Sequence, residues 1–166
     1  GSRLMVTTNP DRPGGFLLNN ELTDFSFVPR DAQGRPVANR VEPGKRPRSS
    51  MSPTLVFDKA SGELLMSTGS PGGAFIIHYT AKVLHGVLQW GLSPQAAVDL
   101  PNFGTLGGPL VLEQGRFPTT TVNALQQRGH TVQQGELTSG AQALVRGRGV
   151  WLGGADPRRE GIVAGD

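Results

Sequence analysis

Cysteine is absent from this chain of 166 residues, and charged residues make up only 17% of it. Without cysteine there is no disulfide framework, no thiolate metal site and no cysteine nucleophile. The formal net charge of +3 is too small to indicate a nucleic-acid binder. No apolar run is long enough to suggest a membrane span, and no secretory leader is visible. These absences favour a folded chain without a nucleic-acid or membrane partner.

Glycine and proline, by contrast, are abundant, with 24 and 13 residues respectively. This excess predicts many tight turns and close backbone approaches rather than long helices. Hydrophobic residues make up 36% of the chain, which is enough to bury a core. Because the length fits one domain, we expect residues 1–166 to form a single domain.

The hydrophobic pattern predicts both strands and helices. Apolar residues at helical spacing over residues 74–90 predict one long, mostly buried helix, and Ser93-Pro94 predicts the start of a short second helix. We expect Trp90, Trp151 and the phenylalanines to lie in the core. Strand pairs on both sides of the helices favour an α+β fold with antiparallel sheet over a doubly wound parallel one. The predicted strands are 54–58 and 63–68 as a hairpin, 110–113, 131–134, and 141–146 with 149–153 as a second hairpin, and a third helix is predicted at 119–128.

A first polar cluster follows the apolar run at the start of LLNNELTDF, residues 17–25. Glu21 and Asp24 are close enough in sequence to converge on one cation, such as an ammonium group. Paired carboxylates also suit acid–base chemistry or a metal. A solvated turn with asparagine caps explains the same residues, and spacing alone favours that simpler interpretation.

A second cluster is KRPRSSMSP, residues 45–53. The adjacent hydroxyls of Ser49 and Ser50, next to basic side chains, are suited to hold a carboxylate or a phosphate. A loop that happens to be basic is the alternative. No aromatic residue interleaves the basic ones, which weakens the case for a nucleic-acid surface.

A third motif, GSPGGA at residues 69–74, directly precedes the predicted long helix. Gly72 and Gly73 at a helix start expose backbone N–H groups with the helix dipole behind them. Such a site binds an anion or the oxyanion of an acyl-transfer intermediate. An ordinary strand-to-helix turn is the simpler alternative.

The remaining polar residues favour structural roles. His78, His85 and His130 lack metal-ligand spacing, so no metal site is predicted. In the string ADPRREG, the segment Asp156-Pro157-Arg158-Arg159 is able to form a surface or an internal ion pair, and a structural role suits it better than a catalytic one.

Four strings, in this order and spacing, resemble γ-glutamyltransferases, which are also called γ-glutamyltranspeptidases and belong to the N-terminal-nucleophile hydrolase superfamily. The strings are GFLLNNELTDFS (15–26), GKRPRSSMSPT (44–54), TGSPGG with a following Ile-Ile (68–77) and ADPRREG (155–161). The resemblance covers nearly the whole chain. It implies the C-terminal part of the family's small subunit and a four-layer αββα sandwich with mainly antiparallel sheet.

The resemblance also implies a reaction without a cofactor. The family transfers the γ-glutamyl group of glutathione or a related amide to water or an amino acid. An N-terminal threonine forms the acyl-enzyme, and its own amino group acts as the base. The matched positions are Asn20, Glu21 and Asp24 for the α-amino group of the glutamyl moiety, Ser49 and Ser50 for its α-carboxylate, and Gly72 and Gly73 for the oxyanion.

The family's nucleophilic threonine has no match here. Thr7-Thr8 is followed by Asn9-Pro10 and lies too close to Asn19 to correspond to the family's Thr-Thr-His motif. We therefore expect the chain to supply the glutamyl pocket and oxyanion hole but not the nucleophile, and to be inactive alone. A truncated homologue that binds γ-glutamyl compounds without turning them over is the alternative.

The expected partners follow from the same resemblance. They are a γ-glutamyl small molecule and the large subunit of the same precursor. A sheet edge left unpaired and an apolar face left uncovered would also bring two copies of the chain together. Family members are usually periplasmic or secreted, so we expect that location.

Overall fold

The computed structural model describes residues 5–6, 17–18 and 20–165. The chain divides into two compact units, Gly1–Ser49 and Ser50–Asp166. Asn19 and the Thr7-Thr8-Asn9-Pro10 string lie outside the described residues.

The bounds of the elements follow the predictions closely. The strands are β1 (Met5–Val6), β2 (Leu17–Leu18), β3 (Thr54–Phe57), β4 (Leu64–Gly69), β5 (Phe103–Gly104), β6 (Leu110–Glu113), β7 (Val132–Gly135), β8 (Gln142–Arg146) and β9 (Trp151–Ala155). The helices are α1 (Ile76–Leu88), α2 (Pro94–Asp99) and α3 (Thr119–Gln127), with 3₁₀ turns at Glu21–Asp24 and Gly73–Phe75.

The larger unit is built around a four-stranded antiparallel sheet in the order β3-β4-β8-β9. Its two hairpins, β3–β4 and β8–β9, confirm the two hairpins that the sequence predicts. Residues opposite each other share a face, as in the row formed by Met66, Val145 and Leu152. The sheet therefore presents one defined face to the helices.

Helices α1 and α2 cover that face. Met66 and Val83 are fully buried at the centre of the contact. The side-chain oxygen of Ser93 accepts a hydrogen bond from the Ala96 N–H at 3.2 Å, which confirms the predicted helix start. Gly154 lies so close to α2 that a Cβ atom there would come within 2.6 Å of the Pro94 carbonyl carbon.

The opposite face of the sheet carries several exposed apolar side chains, and Val163 of the C-terminal tail lies against it at Gly153. Leu55, Phe57, Leu144 and Trp151 on β3, β8 and β9 are 49–58% exposed. The core prediction is wrong for both tryptophans, because Trp151 lies on this face and Trp90 follows α1 with 58% of its surface exposed. Among the phenylalanines, Phe25 is buried as expected, but Phe27 and Phe57 are exposed. Apolar alternation predicts a buried strand face, but it does not say whether anything covers that face.

A three-stranded sheet, β5-β6-β7, lies in the same unit. Strands β6 and β7 are parallel and are joined through α3. This parallel pair is compatible with the expectation of a mainly antiparallel sheet, and it arises because a helical crossover between two strands places them in the same direction. The described fold is thus a mixed one with mainly antiparallel sheet.

Helix α1 is shorter than the predicted span of 74–90. Its first turn is taken by the 3₁₀ segment Gly73–Phe75, and Gly91, with a φ of 64°, ends the helical region. Among the helices that the structure describes, none has both the length and the apolar character needed to cross a bilayer.

Candidate functional site

The predicted site residues are divided between the two units. Asn20, Glu21, Asp24 and Ser49 belong to the first unit, and Ser50, Gly72 and Gly73 belong to the second. Each group is therefore described within its own unit.

The acidic residues lie in one 3₁₀ turn, Glu21–Asp24. Side chains three residues apart are eclipsed in such a turn, so Glu21 and Asp24 project from the same side. Both are half-buried. Phe25, only 6% exposed, follows the turn directly and anchors it. The turn therefore presents two carboxylates side by side, as a site for an ammonium group requires.

Hydrogen bonds from polar neighbours hold this turn. The Thr23 hydroxyl donates to the Asn20 carbonyl at 2.8 Å, and the Thr23 N–H donates to the same oxygen at 3.0 Å. Asn20 is the residue before the turn, and its side chain caps no backbone N–H of it. Asn20 thus makes no side-chain cap of the turn; its carbonyl accepts from Thr23, and its side-chain N–H donates to the Thr23 hydroxyl at 3.5 Å.

Asn39 is a residue that the sequence reasoning missed. Its side-chain N–H donates to the Asp24 carbonyl at 2.7 Å, and its side-chain oxygen accepts from the Arg48 N–H at 2.9 Å. It thereby connects the acidic turn to the residue before Ser49. Asn39 lies in a polar segment rich in proline, arginine and glycine, and one asparagine there carries no sequence signal of this role.

The two serines lie at the junction of the units. Ser49 is exposed and Ser50 is half-buried. The Ser50 carbonyl accepts a hydrogen bond from the Ser52 hydroxyl at 2.9 Å, which fixes the backbone that follows. A serine hydroxyl is able to donate one hydrogen bond to a carboxylate.

The Gly72-Gly73 turn joins β4 to α1. Both glycines have positive φ, 139° and 59°, which side-chain-bearing residues rarely adopt. The Phe75 N–H donates to the Gly72 carbonyl at 3.3 Å, so the chain tightens at once into the helix. Within the described structure no side chain caps this turn. Because the first N–H groups of a helix lack intrahelical acceptors, they are available to an anion at this point.

Two contacts hold the glycine turn in place. The ring of Tyr79, which is 3% exposed, lies against Gly72, where a Cβ atom would approach its Cε2 atom to 2.4 Å. On the other side, the Gly140 N–H donates to the Ser70 hydroxyl at 3.1 Å. The turn is thus braced by α1 and by the chain leading into β8. Burial raises the pKa of Tyr79, so its phenol stays neutral in the physiological range.

A buried ion-pair cluster lies in the same unit. Arg158 bonds Glu113 through two N–H groups at 2.6 and 2.8 Å and bonds Asp156 at 3.0 Å. The predicted ion pair between Asp156 and Arg158 is thus confirmed as an internal one. Burial alone would raise the pKa of Asp156, but hydrogen bonds from Ser139, Arg158 and Ala141 outweigh it and hold that pKa below its usual value.

The histidines have structural contacts. His78 accepts a hydrogen bond from the Thr105 N–H at 3.3 Å, and His85 lies edge-on to Trp90 with ring centroids 4.7 Å apart. In the part of the chain that the structure describes, no three His, Asp or Glu residues are placed to hold a metal ion.

The Gamma-glutamyltranspeptidase family model matches residues 1–166, the whole chain. The chain belongs to the γ-glutamyltranspeptidase family. Over 168 residues it is 32% identical to the glutathione hydrolase proenzyme of Bacillus subtilis strain 168, a match that covers 99% of this chain and 26% of that protein. Over 151 residues it is 36% identical to the glutathione hydrolase proenzyme of Escherichia coli strain K12, which covers 87% of this chain and 26% of the relative.

A solved structure from the same family has a similar fold. The γ-glutamyltranspeptidase of Pseudomonas nitroreducens complexed with L-DON superposes with a TM-score of 0.77 at 27% identity, covering 98% of this chain and 86% of that chain. The chain spans about a quarter of the length of the curated γ-glutamyltranspeptidase relatives that it matches. Its fold is therefore that of the family, over the corresponding segment.

Proposed function

We propose that this chain supplies the glutamyl-binding part and the oxyanion hole of an enzyme that transfers or hydrolyses γ-glutamyl groups of glutathione or related amides. The Gly72-Gly73 turn carries the proposal, because its two positive-φ residues open backbone N–H groups at the start of α1. Donors fixed in this way stabilise the oxyanion of an acyl-transfer intermediate. An N-terminal threonine outside these residues would be the nucleophile.

The substrate's amino-acid end suits the other residues. In the proposal, the Glu21 and Asp24 carboxylates bind the α-amino group, with Asn20 supporting their turn. Ser49 and Ser50 bind the α-carboxylate through their hydroxyls. Charge-assisted hydrogen bonds of this kind fix a small substrate in one orientation, as acyl transfer needs.

The exposed sheet face supports the rest of the proposed architecture. A group of exposed apolar side chains on one sheet face is typical of a surface that another element covers. We propose that a second sheet of the same sandwich, together with the large subunit, covers Leu55, Leu144 and Trp151 in the four-layer arrangement. A periplasmic or secreted location goes with this proposal.

The proposal is tested on the complete gene product that contains these residues. The substrate is γ-glutamyl-p-nitroanilide, and release of p-nitroaniline is followed. Asp24→Asn is expected to raise KM at least about tenfold, because it removes one charge from the ammonium site. Asp58→Asn is the matched control, since the Asp58 carboxylate accepts hydrogen bonds only within its own turn, from Ala60 and Ser61.

The outcomes separate the alternatives. Hydrolysis that Asp24→Asn impairs and Asp58→Asn leaves unchanged supports the enzyme. Binding of γ-glutamyl compounds without any release of p-nitroaniline contradicts the enzyme and supports the non-catalytic homologue. If the protein neither binds γ-glutamyl compounds nor releases p-nitroaniline, both the enzyme and the non-catalytic homologue are contradicted.

A further inference from the structure

Asn39 makes three hydrogen bonds that join separate parts of the first unit. Its side-chain N–H donates to the Asp24 carbonyl at 2.7 Å, and its side-chain oxygen accepts from the Arg48 N–H at 2.9 Å. Its own carbonyl accepts from the Ser26 N–H at 2.8 Å. Asn39 is therefore fixed by its main chain while its side chain spans two segments that are distant in sequence.

Those two segments carry different ends of the proposed pocket. Asp24 is the last residue of the turn that carries both carboxylates, and Arg48 directly precedes Ser49 in the chain. The α-amino and α-carboxylate groups of a glutamyl moiety are attached to a single carbon. Groups that bind both at once must be held at one fixed separation, and a misplacement of about 1 Å is costly.

We propose that Asn39 is a positioning residue that sets the separation between the Glu21–Asp24 carboxylates and the Ser49 hydroxyl. This inference rests on the function proposed above. An asparagine side chain suits the role because its planar amide donates at one end and accepts at the other. An aspartate would still accept from Arg48, but it would place a negative charge against the Asp24 carbonyl. An alanine would lose both bonds.

The test compares two donors in the complete gene product. One donor is L-γ-glutamyl-p-nitroanilide, and the other is glutaryl-p-nitroanilide, which lacks the α-amino group. The ratio of their kcat/KM values measures how well the carboxylates and the serine act together on one substrate. We expect Asn39→Ala and Asn39→Asp to lower this ratio at least about tenfold, mainly through KM for the glutamyl donor.

Lys45→Met is the matched control. Lys45 donates to the Ala38 carbonyl at 2.8 Å and pairs with Glu42, so its loss disturbs the same segment without touching Asp24 or Arg48. Its donor ratio is expected to stay within about twofold of the wild type. Thermal unfolding of every variant shows which of them remain folded.

Several results would overturn the inference. One is an unchanged ratio in both Asn39 variants, and another is an equal loss of kcat/KM for both donors, which a purely structural role predicts. If wild type binds but does not turn over, the same ratio is measured from the dissociation constants of L-glutamate and glutarate. A wild type that prefers neither donor contradicts the proposed function itself, whereas variants that keep a wild-type preference contradict only the role of Asn39.

Discussion

Lys82 and Arg158 donate hydrogen bonds to the same two backbone carbonyls, those of Val98 and Leu100. The Lys82 ammonium lies 2.9 and 2.7 Å from these oxygens, and the Arg158 guanidinium lies 3.3 and 3.0 Å from them. The carbonyls terminate α2, where the helix leaves its last acceptors unpaired. Two cations thus share one helix end, and among the residues that the structure describes it is Arg158, not Lys82, that has carboxylates at ion-pair distance.

Lys82 is expected to make stability rise with pH. Burial, followed by the repulsion of Arg158, lowers the pKa of Lys82 to about 8, against 10.5 for an ordinary lysine. Between these values the unfolded chain holds a proton that the folded chain has lost, so unfolding becomes less favourable as pH rises. The free energy of unfolding should increase by up to about 1.4 kcal/mol per pH unit between pH 8 and 9.5. Urea titrations at constant ionic strength measure it.

Two variants check the origin of that slope. Lys82→Met keeps the apolar stem and should flatten the curve, while Lys59→Met, at an exposed position, should retain it. Above pH 10 the raised pKa of Tyr79 acts in the opposite sense, because the unfolded tyrosine ionises first. A slope that survives in Lys82→Met would show that another group titrates.

Arg158→Met is expected to cost about 3 kcal/mol of unfolding free energy, since it leaves two buried carboxylates without a cation. The side chains of Arg158, Glu113 and Asp156 are 9%, 12% and 0% exposed. Arg146→Met is the comparison, because Arg146 pairs with Glu63 at 2.8 Å on the surface. That variant should lose less than about 1 kcal/mol. Equal losses in denaturant titrations would mean that the buried cluster is not a special source of stability.

The same cluster predicts sensitivity to acid. The pKa of Asp156 lies below 3.8 in the folded protein, so its stabilisation is fully present above that value and is lost as pH falls through the folded-state pKa. Glu113 adds to the effect in the same direction. Asp156→Asn should be less stable at neutral pH and should lose less stability between pH 4 and 2 than the wild type. Parallel acid curves for the two proteins would contradict this assignment.

The exposed sheet face predicts self-association. Replacing Leu144 and Trp151 by serine should raise the monomer fraction in light scattering, because it removes two exposed apolar side chains from this face. Ile77→Ser changes an equally exposed residue on α1 and should have little effect. A monodisperse monomer in the unsubstituted chain would contradict the expectation.

The parts of the fold that can be predicted from the sequence are mostly those that depend on local sequence patterns. The helix start at Ser93 and both hairpins depend on neighbours within a few residues, which sequence spacing records. The parallel pairing of β6 with β7 depends on the path of α3, which spacing does not record. The prediction that Trp151 is buried is wrong for a similar reason, because the elements that cover a sheet face are distant in sequence or belong to another chain.

The candidate site shows the same division. Gly72 and Gly73 stand out in the sequence because two adjacent glycines precede a predicted helix. Their positive φ values agree with the predicted turn. The spacing of Glu21 and Asp24 places two carboxylates in one short segment, but spacing alone favours a solvated turn over an ammonium site. The role of Asn39 is not predicted from the sequence. Its side-chain partners are backbone groups of residues 15 and 9 positions away, and a backbone group leaves no signal in the sequence.

The close approach of Gly154 to Pro94 sets the distance between β9 and α2. A Cβ atom at residue 154 would meet the backbone of α2 at 2.6–2.7 Å, and backbone atoms cannot rotate aside as a long side chain does. Any larger residue at 154 would push the whole helix outward, together with the carbonyls that Lys82 and Arg158 share. The size of residue 154 therefore determines how closely α2 packs on the sheet. We expect substitutions at this position to be accepted during evolution only together with changes in the first turn of α2.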